Sequence, residues 1–291
     1  MTCPFLKEAA VKYCQTAAVR KLIPLGATAK ADEKCASAAY VECAVYRAQA
    51  DTTPAGVGPC RYLRESLMQY CAAAGVAKFV PYSESLLSRC GSDRYRYCEL
   101  YLAMAHPDVP ADEAALPGWL RYSANHMWLD VGDGGACHAG IDAFFSRALG
   151  KVERLSYVWL AGKHRPAAIL TVAGADLEVV FPNPLQLTGC NLYLRADPAR
   201  LSSQPYTGGW LFEGMALPET AGNLMDSAAA RAWMEQDERR LNEFLQQATG
   251  GQLAADGGTA AHGVAGALER EKLTEMFHEF FSPFGRGEDM R

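Results

Sequence analysis

Tyr122-Ser123-Ala124-Asn125-His126-Met127-Trp128 opens the stretch that decides the fold, and Pro205-Tyr206-Thr207-Gly208-Gly209-Trp210-Leu211 closes it. Between them lie Gly140-Ile141-Asp142-Ala143-Phe144 and Leu149-Gly150-Lys151-Val152. Met127-Trp128-Leu129-Asp130-Val131 alternates as a strand with one buried face does, then turns at Gly132-Asp133-Gly134-Gly135. Cys137 to Gly140 reads as the next strand, Ile141 to Leu149 as a short helix, and Arg154 to Leu160 as a further strand. Ala167 to Val172 and Leu177 to Phe181 read as a hairpin, Gln186 to Leu194 as another strand, and Trp210-Leu211-Phe212-Glu213 as the closing one. Many short strands with turn residues between them suit a sandwich of two small sheets.

In that order and spacing the four motifs resemble the glycine cleavage system H protein, a lipoyl-carrier relative of the biotinyl/lipoyl domains. The resemblance covers residues 117 to 245. It implies a barrel-sandwich hybrid carrying lipoate on a Lys in a turn between two strands, shortly before a Pro. Here that Pro matches Pro182, which puts the carrier position at Gly174; anchoring on Pro184 puts it at Asp176. Neither is a lysine. Lys163 lies in the preceding Ala161-Gly162-Lys163-His164 turn and matches no part of the carrier motif. Lipoylation needs a primary amine, so no lipoate is expected, and the surface around Gly174 is the expected docking face. The family's His-x-Trp motif matches His126, with a structural role. His138 and His164 can in principle join Cys137 or Cys190 on a metal, although isolated cysteines fit buried thiols better.

Toward the C-terminus, Asp226 or Ser227 can cap a helix reaching about Gln247. Its apolar stripe of Ala230, Trp233, Met234, Leu241, Phe244 and Leu245 fits packing on the sandwich. Residues 249–266 are Gly/Ala-rich and read as a flexible linker. Leu268 to Phe281 then forms an amphipathic helix with Leu273, Met276, Phe277, Phe280 and Phe281 on one face. That stripe must be buried, either on its own domain or in a partner's groove; a loose tether suits partner docking.

Toward the N-terminus the chain is duplicated. Of its 10 cysteines, Cys3, Cys14, Cys35 and Cys43 are spaced C-x10-C-x20-C-x7-C, and Cys60, Cys71, Cys90 and Cys98 are spaced C-x10-C-x18-C-x7-C. The segment from Cys14 to Pro24 aligns with that from Cys71 to Pro81, Phe5-Leu6 with Tyr62-Leu63, Tyr40 with Tyr95, and Tyr46 with Tyr101. Cys3 and Cys14 stand about three helical turns apart, which predicts a helix with both sulfurs on one face. A second helical segment is expected between Cys35 and Cys43. Each repeat then brings its four thiols to one end, where they are candidate ligands for Zn²⁺ or an iron–sulfur cluster. Neither repeat has the C-x2-C bite. Disulfides nested within each repeat and inert buried thiols remain open alternatives.

The domain reading is therefore residues 1–105 for the tandem repeat (1–50 and 58–105), 106–117 for a Pro-rich linker, 118–248 for the H-like domain, 249–266 for a second linker and 267–291 for a docking helix. The fold class is α+β: a helical cysteine-rich module, a β-sandwich, and C-terminal helices. The chain of 291 residues is 49 % apolar and 21 % charged, with a net charge of −5. Nothing there builds a basic stripe for nucleic acid. No apolar run approaches the roughly 20 residues of a membrane span, and Met1 to Glu8 has no signal-peptide pattern, so the cytoplasm is the expected location. No phosphate loop, His-Glu-x-x-His or nucleophile elbow is present. The reading is a non-catalytic adaptor or regulatory protein with a metal-binding module. The alternative is a redox protein working by clusters or thiol–disulfide exchange, and a lipoyl carrier is the reading least supported.

Overall fold

The computed structural model describes residues 2–17, 23–24, 34–49, 58–76, 78–80, 88–105, 116–158, 162–250 and 263–283. Most of the 51–59 and 106–117 connectors, most of the 249–266 linker, and Pro81 lie outside the described residues. The chain divides into two compact units, Met1–Tyr95 and Arg96–Arg291.

The first unit corrects the helical expectation. Leu6–Cys14 is a strand (β1), not a helix. It pairs antiparallel with Leu63–Cys71 (β3), the same segment of the second repeat, over all nine residues. Ile23–Pro24 (β2) and Lys78–Phe79 (β4) extend the sheet in the order β2-β1-β3-β4. Ala10 pairs with Leu67, its own counterpart in the other repeat, so the ladder has a pseudo-two-fold centre there. The Ala-rich segment has good local helix propensity, but a duplicated strand can satisfy its backbone bonds with its own copy, and that pairing wins. A strand rises about 3.3 Å per residue against 1.5 Å in a helix. Cysteines expected on one helical face are thus carried toward opposite ends of the ladder. The Cys35–Cys43 segment does turn helically, as 3₁₀ turns at Lys34–Ala36 and Ala38–Glu42 followed by α1 (Ala44–Gln49). The second repeat matches it with a 3₁₀ turn at Asp93–Tyr97.

The second unit opens with α2 (Glu99–Ala105). It then follows the expected strand order closely: β5 (Arg121–Tyr122), β6 (Met127–Val131), β7 (Ala136–Ile141), α3 (Ala143–Leu149), β8 (Arg154–Val158), β9 (Lys163–His164), β10 (Ala167–Val172), β11 (Ala175–Val180), β12 (Leu185–Cys190), α4 (Arg200–Ser203), β13 (Trp210–Ala216), α5 (Ser227–Thr249) and α6 (Arg270–Phe280). A six-stranded sheet, β5-β6-β7-β13-β12-β9, faces a three-stranded one, β11-β10-β8. Strand alternation divides the side chains of β6 between two cores. Met127 and Leu129 enter the core shared with Leu155, Leu170 and Val179, whereas Trp128 enters a second cluster with Tyr97, Tyr122, Tyr206 and Trp210.

Two of the quoted motifs meet at Trp128. Its indole N–H donates to the carbonyls of Ile141 at 2.9 Å and Pro205 at 3.1 Å. The ring lies over Gly140, where an added Cβ would stand 2.6 Å from Cζ2. Gly140→Ala is expected to cost about 1–3 kcal/mol through this overpacking, measured as a lowered unfolding midpoint. An unchanged midpoint would show that the indole can move aside.

Asp226 caps α5, its carboxylate accepting from the Ala229 N–H at 2.8 Å. Helix α6 corrects a second expectation. Its stripe of Leu273, Met276, Phe277, Phe280 and Phe281 is buried in the sandwich core, with Phe281 stacked on Phe145 at 4.0 Å between centroids. It is not presented to a partner, because the sandwich supplies an aromatic surface of its own at α3 that this stripe fits.

Candidate functional site

The register of the β10–β11 hairpin, with Val172 opposite Ala175, leaves Ala173-Gly174 as a two-residue turn. Both have positive φ, 48° and 73°. This is the signature of the hairpin turn whose twist matches its strands, and it favours Gly at the second position. Gly174 therefore sits at the tip, and nothing lies within 4 Å of where its Cβ would be. Asp176, the other candidate carrier position, is on β11, where it accepts from the Thr171 hydroxyl at 2.7 Å and faces Arg154 at 3.6 Å. Lys163 is on β9 at the edge of the larger sheet, bonded to Glu219. Beside the hairpin tip lies a cleft of about 840 Å³, lined by Lys151, Val152, Ala173, Asp197 and Gly263 among others. Sequence reasoning missed this cleft because its walls come from four distant segments.

His126 forms the buried polar centre of the domain. Its φ is +58°, and its ring lies between Phe144 at 4.2 Å and Trp233 at 4.3 Å. Nδ1 meets the Asp142 carboxylate at 2.9 Å and Nε2 meets Asp237 at 3.3 Å. Asp142 also caps α3, accepting from the Phe145 N–H at 2.8 Å. Burial disfavours the charged imidazole, but the Asp142 and Asp237 carboxylates outweigh it and raise the His126 pKa. Burial likewise works against the Asp237 carboxylate, and the bonds from His126 and Arg240 overcome it, lowering its pKa. This buried triad ties α3 and α5 to the sheet.

His138 and His164 belong to no group of three or more metal-ligating side chains among the described residues. Cys137 points into the sandwich core, while His138, the next residue on the strand, stacks on Tyr97 at 4.2 Å and lies 3.3 Å from Glu213. Tyr97 in turn donates to Asp130 at 2.7 Å. His164 Nδ1 is 3.0 Å from the Gly162 carbonyl. Burial pushes the Cys190 thiol up to about 11.

The eight N-terminal thiols are distributed across the repeats. Cys14 and Cys71 end the two paired strands. Cys60 is buried with Tyr40 and Tyr46, and Cys35 and Cys43 pack against that cluster. The Cys60 N–H donates to the Cys35 carbonyl at 2.7 Å, and the Cys3 N–H to the Cys90 carbonyl at 2.9 Å. Burial pushes the Cys14 thiol up, but hydrogen bonds from Thr16 and the backbone bring it below its ordinary value. The Cys98 carbonyl accepts from Leu102 at the start of α2. Among the described residues no group of three or more His, Cys, Asp or Glu side chains is placed to hold a metal ion.

A glycine cleavage system H protein of Sodalis glossinidius is 31 % identical to this chain over 130 residues, which is 97 % of that relative and 42 % of this chain. This chain belongs to the glycine cleavage system H protein family. An H protein of Micrococcus luteus is 32 % identical over 107 residues, covering 81 % of that relative. A solved H protein from Mycobacterium marinum matches with a TM-score of 0.36 and 21 % identity, covering 42 % of this chain and 98 % of that one. No family model matches. The match to these relatives takes in under half of the chain. No helix among the described residues is long and apolar enough to cross a membrane.

Proposed function

We propose that this H-family chain is a non-catalytic adaptor or regulatory protein, acting in the cytoplasm through protein partners that meet the face around the Ala173-Gly174 tip. One observation supports the reading: the hairpin that the resemblance matches to the family's carrier turn ends in Ala173-Gly174, and neither these nor Asp176 is a lysine. A carrier without its reactive group keeps its surface and loses its chemistry. The test is incubation with lipoate and the enzyme that lipoylates H proteins. The mass of this chain is expected to stay unchanged while that of an authentic H protein rises by one lipoyl group. A lipoyl adduct on this chain, mapped to Lys151 or Lys163, would overturn the reading.

The N-terminal thiols are the part of this adaptor that answers to its surroundings. As metal ligands they would hold Zn²⁺ or an iron–sulfur cluster; iron, sulfide and zinc analysis of anaerobically purified protein tests this. The second reading, thiol–disulfide switching, is favoured by one observation: backbone hydrogen bonds join Cys60 to Cys35 and Cys3 to Cys90, four of the eight, across the repeats.

A further inference from the structure

Duplication makes the natural guess that each repeat's four cysteines work together. The backbone sorts them otherwise. The first cysteine of repeat two, Cys60, donates its N–H to the third cysteine of repeat one, Cys35, at 2.7 Å. The first cysteine of repeat one, Cys3, donates to the third of repeat two, Cys90, at 2.9 Å. The same bond is thus made twice, in opposite directions, as the pseudo-two-fold ladder through Ala10 and Leu67 requires.

Such a bond confines the two residues. With standard covalent lengths, a carbonyl oxygen is about 2.4 Å from its own Cα and an amide nitrogen about 1.46 Å from its own. Adding a bond of 2.7 or 2.9 Å leaves at most about 6.6 or 6.8 Å between the Cα atoms, even fully extended. A disulfide spans Cα separations of about 4.4–6.8 Å. The Cα separations of both cross-repeat pairs thus lie within the upper limit of that reach. In each pair one member is buried, Cys60 or Cys3, and the other is half-buried, so a small reagent can approach from the half-buried side.

We propose that Cys35–Cys60 and Cys3–Cys90 are two thiol–disulfide sites that link repeat one to repeat two. The co-reactant class is a small disulfide such as glutathione disulfide. The half-buried thiolate attacks one sulfur of the small disulfide, forming a mixed disulfide and releasing one thiol. The buried partner then displaces the second thiol. Two protein thiols lose two electrons and two protons, and one glutathione disulfide becomes two glutathione thiols. The inference rests on the thiol–disulfide reading of the N-terminal module and is independent of the H-like domain.

The test uses the full chain, reduced and then equilibrated with glutathione disulfide. Remaining thiols are alkylated, and the protein is digested without reduction for mass spectrometry. Peptides joined through Cys35–Cys60 and Cys3–Cys90 are expected, with alkylated thiols falling from 10 to six and returning to 10 after reduction. Cys35→Ser is expected to leave Cys60 alkylated while Cys3–Cys90 still forms. Cross-links nested within a repeat, such as Cys3–Cys43 with Cys14–Cys35, would overturn the proposal. So would full alkylation of all 10 thiols in folded protein, or zinc or iron whose removal is needed before Cys35 and Cys60 react. None of these outcomes touches the adaptor reading, which fails only through lipoylation of the chain.

Discussion

Phe281→Ala is expected to destabilise the second unit by about 3–5 kcal/mol, the usual cost of removing a buried aromatic ring. Phe281 is fully buried and stacks on Phe145 with the ring planes 5° apart. It also approaches Phe277 at 6.0 Å and His126 at 5.6 Å. The backbone just there is fastened too, since the Asn125 side chain donates to the Phe281 carbonyl at 3.3 Å. Removing the ring leaves a cavity against α3 that neither neighbour can fill without losing its own packing. For a unit of this size the loss corresponds to a melting temperature lower by roughly 10 °C. Ending the chain at Gly266 should cost more, because Leu268, Leu273, Met276, Phe277 and Phe280 leave the same core. Thermal unfolding of both variants is the measurement. Wild-type midpoints would return α6 to the role of an external docking helix.

His126→Leu is expected to cost a similar amount, about 3–5 kcal/mol, because it leaves buried carboxylates without their counter-ion. Asp142 would keep the Phe145 N–H and Asp237 would keep Arg240, but each would lose the imidazolium between them. The His126 contribution also depends on pH. Its pKa is raised above the ordinary 6.5, so the native state holds a proton that the unfolded chain releases. Stability from this group is complete below 6.5 and is lost as pH rises through the raised folded value. The Asp237 pKa is lowered from 3.8, so its contribution is present above 3.8 and is lost as pH falls through the folded value. The gap in stability between wild type and His126→Leu should therefore be widest between about pH 4 and 6.5 and narrow toward alkaline pH. Denaturant unfolding at a series of pH values measures this. A gap constant to pH 9 and beyond would mean that the triad's charge contributes nothing to folding.

The H-like domain was legible because its signals are local. The alternation of Met127 to Val131 and the Asp226 cap are written in neighbouring residues, and β6 and α5 form accordingly. Counting offered Gly174 or Asp176 for the carrier position, and only the hairpin register shows that Gly174 is at the tip and Asp176 on the strand. His126 could be given a structural role, but not its two carboxylates. Asp142 and Asp237 are brought to it by different helices, and no spacing in the chain announces that.

What the sequence by itself determined is the strand order of the H-like sandwich and the Asp226 helix cap, together with the spacing of eight N-terminal cysteines. Tertiary structure decided the rest. The segment from Leu6 to Cys14 has residues that suit a helix, and only a second copy of itself lying antiparallel makes it a strand. That choice puts Cys14 and Cys71 at opposite ends of the ladder, and backbone bonds run from Cys60 to Cys35 and from Cys3 to Cys90, between the repeats. The stripe of α6 was equally legible as core or as interface, since amphipathicity says that a face must be buried and not against what. The aromatic surface at Phe145 settled it, by offering that face a place within its own domain.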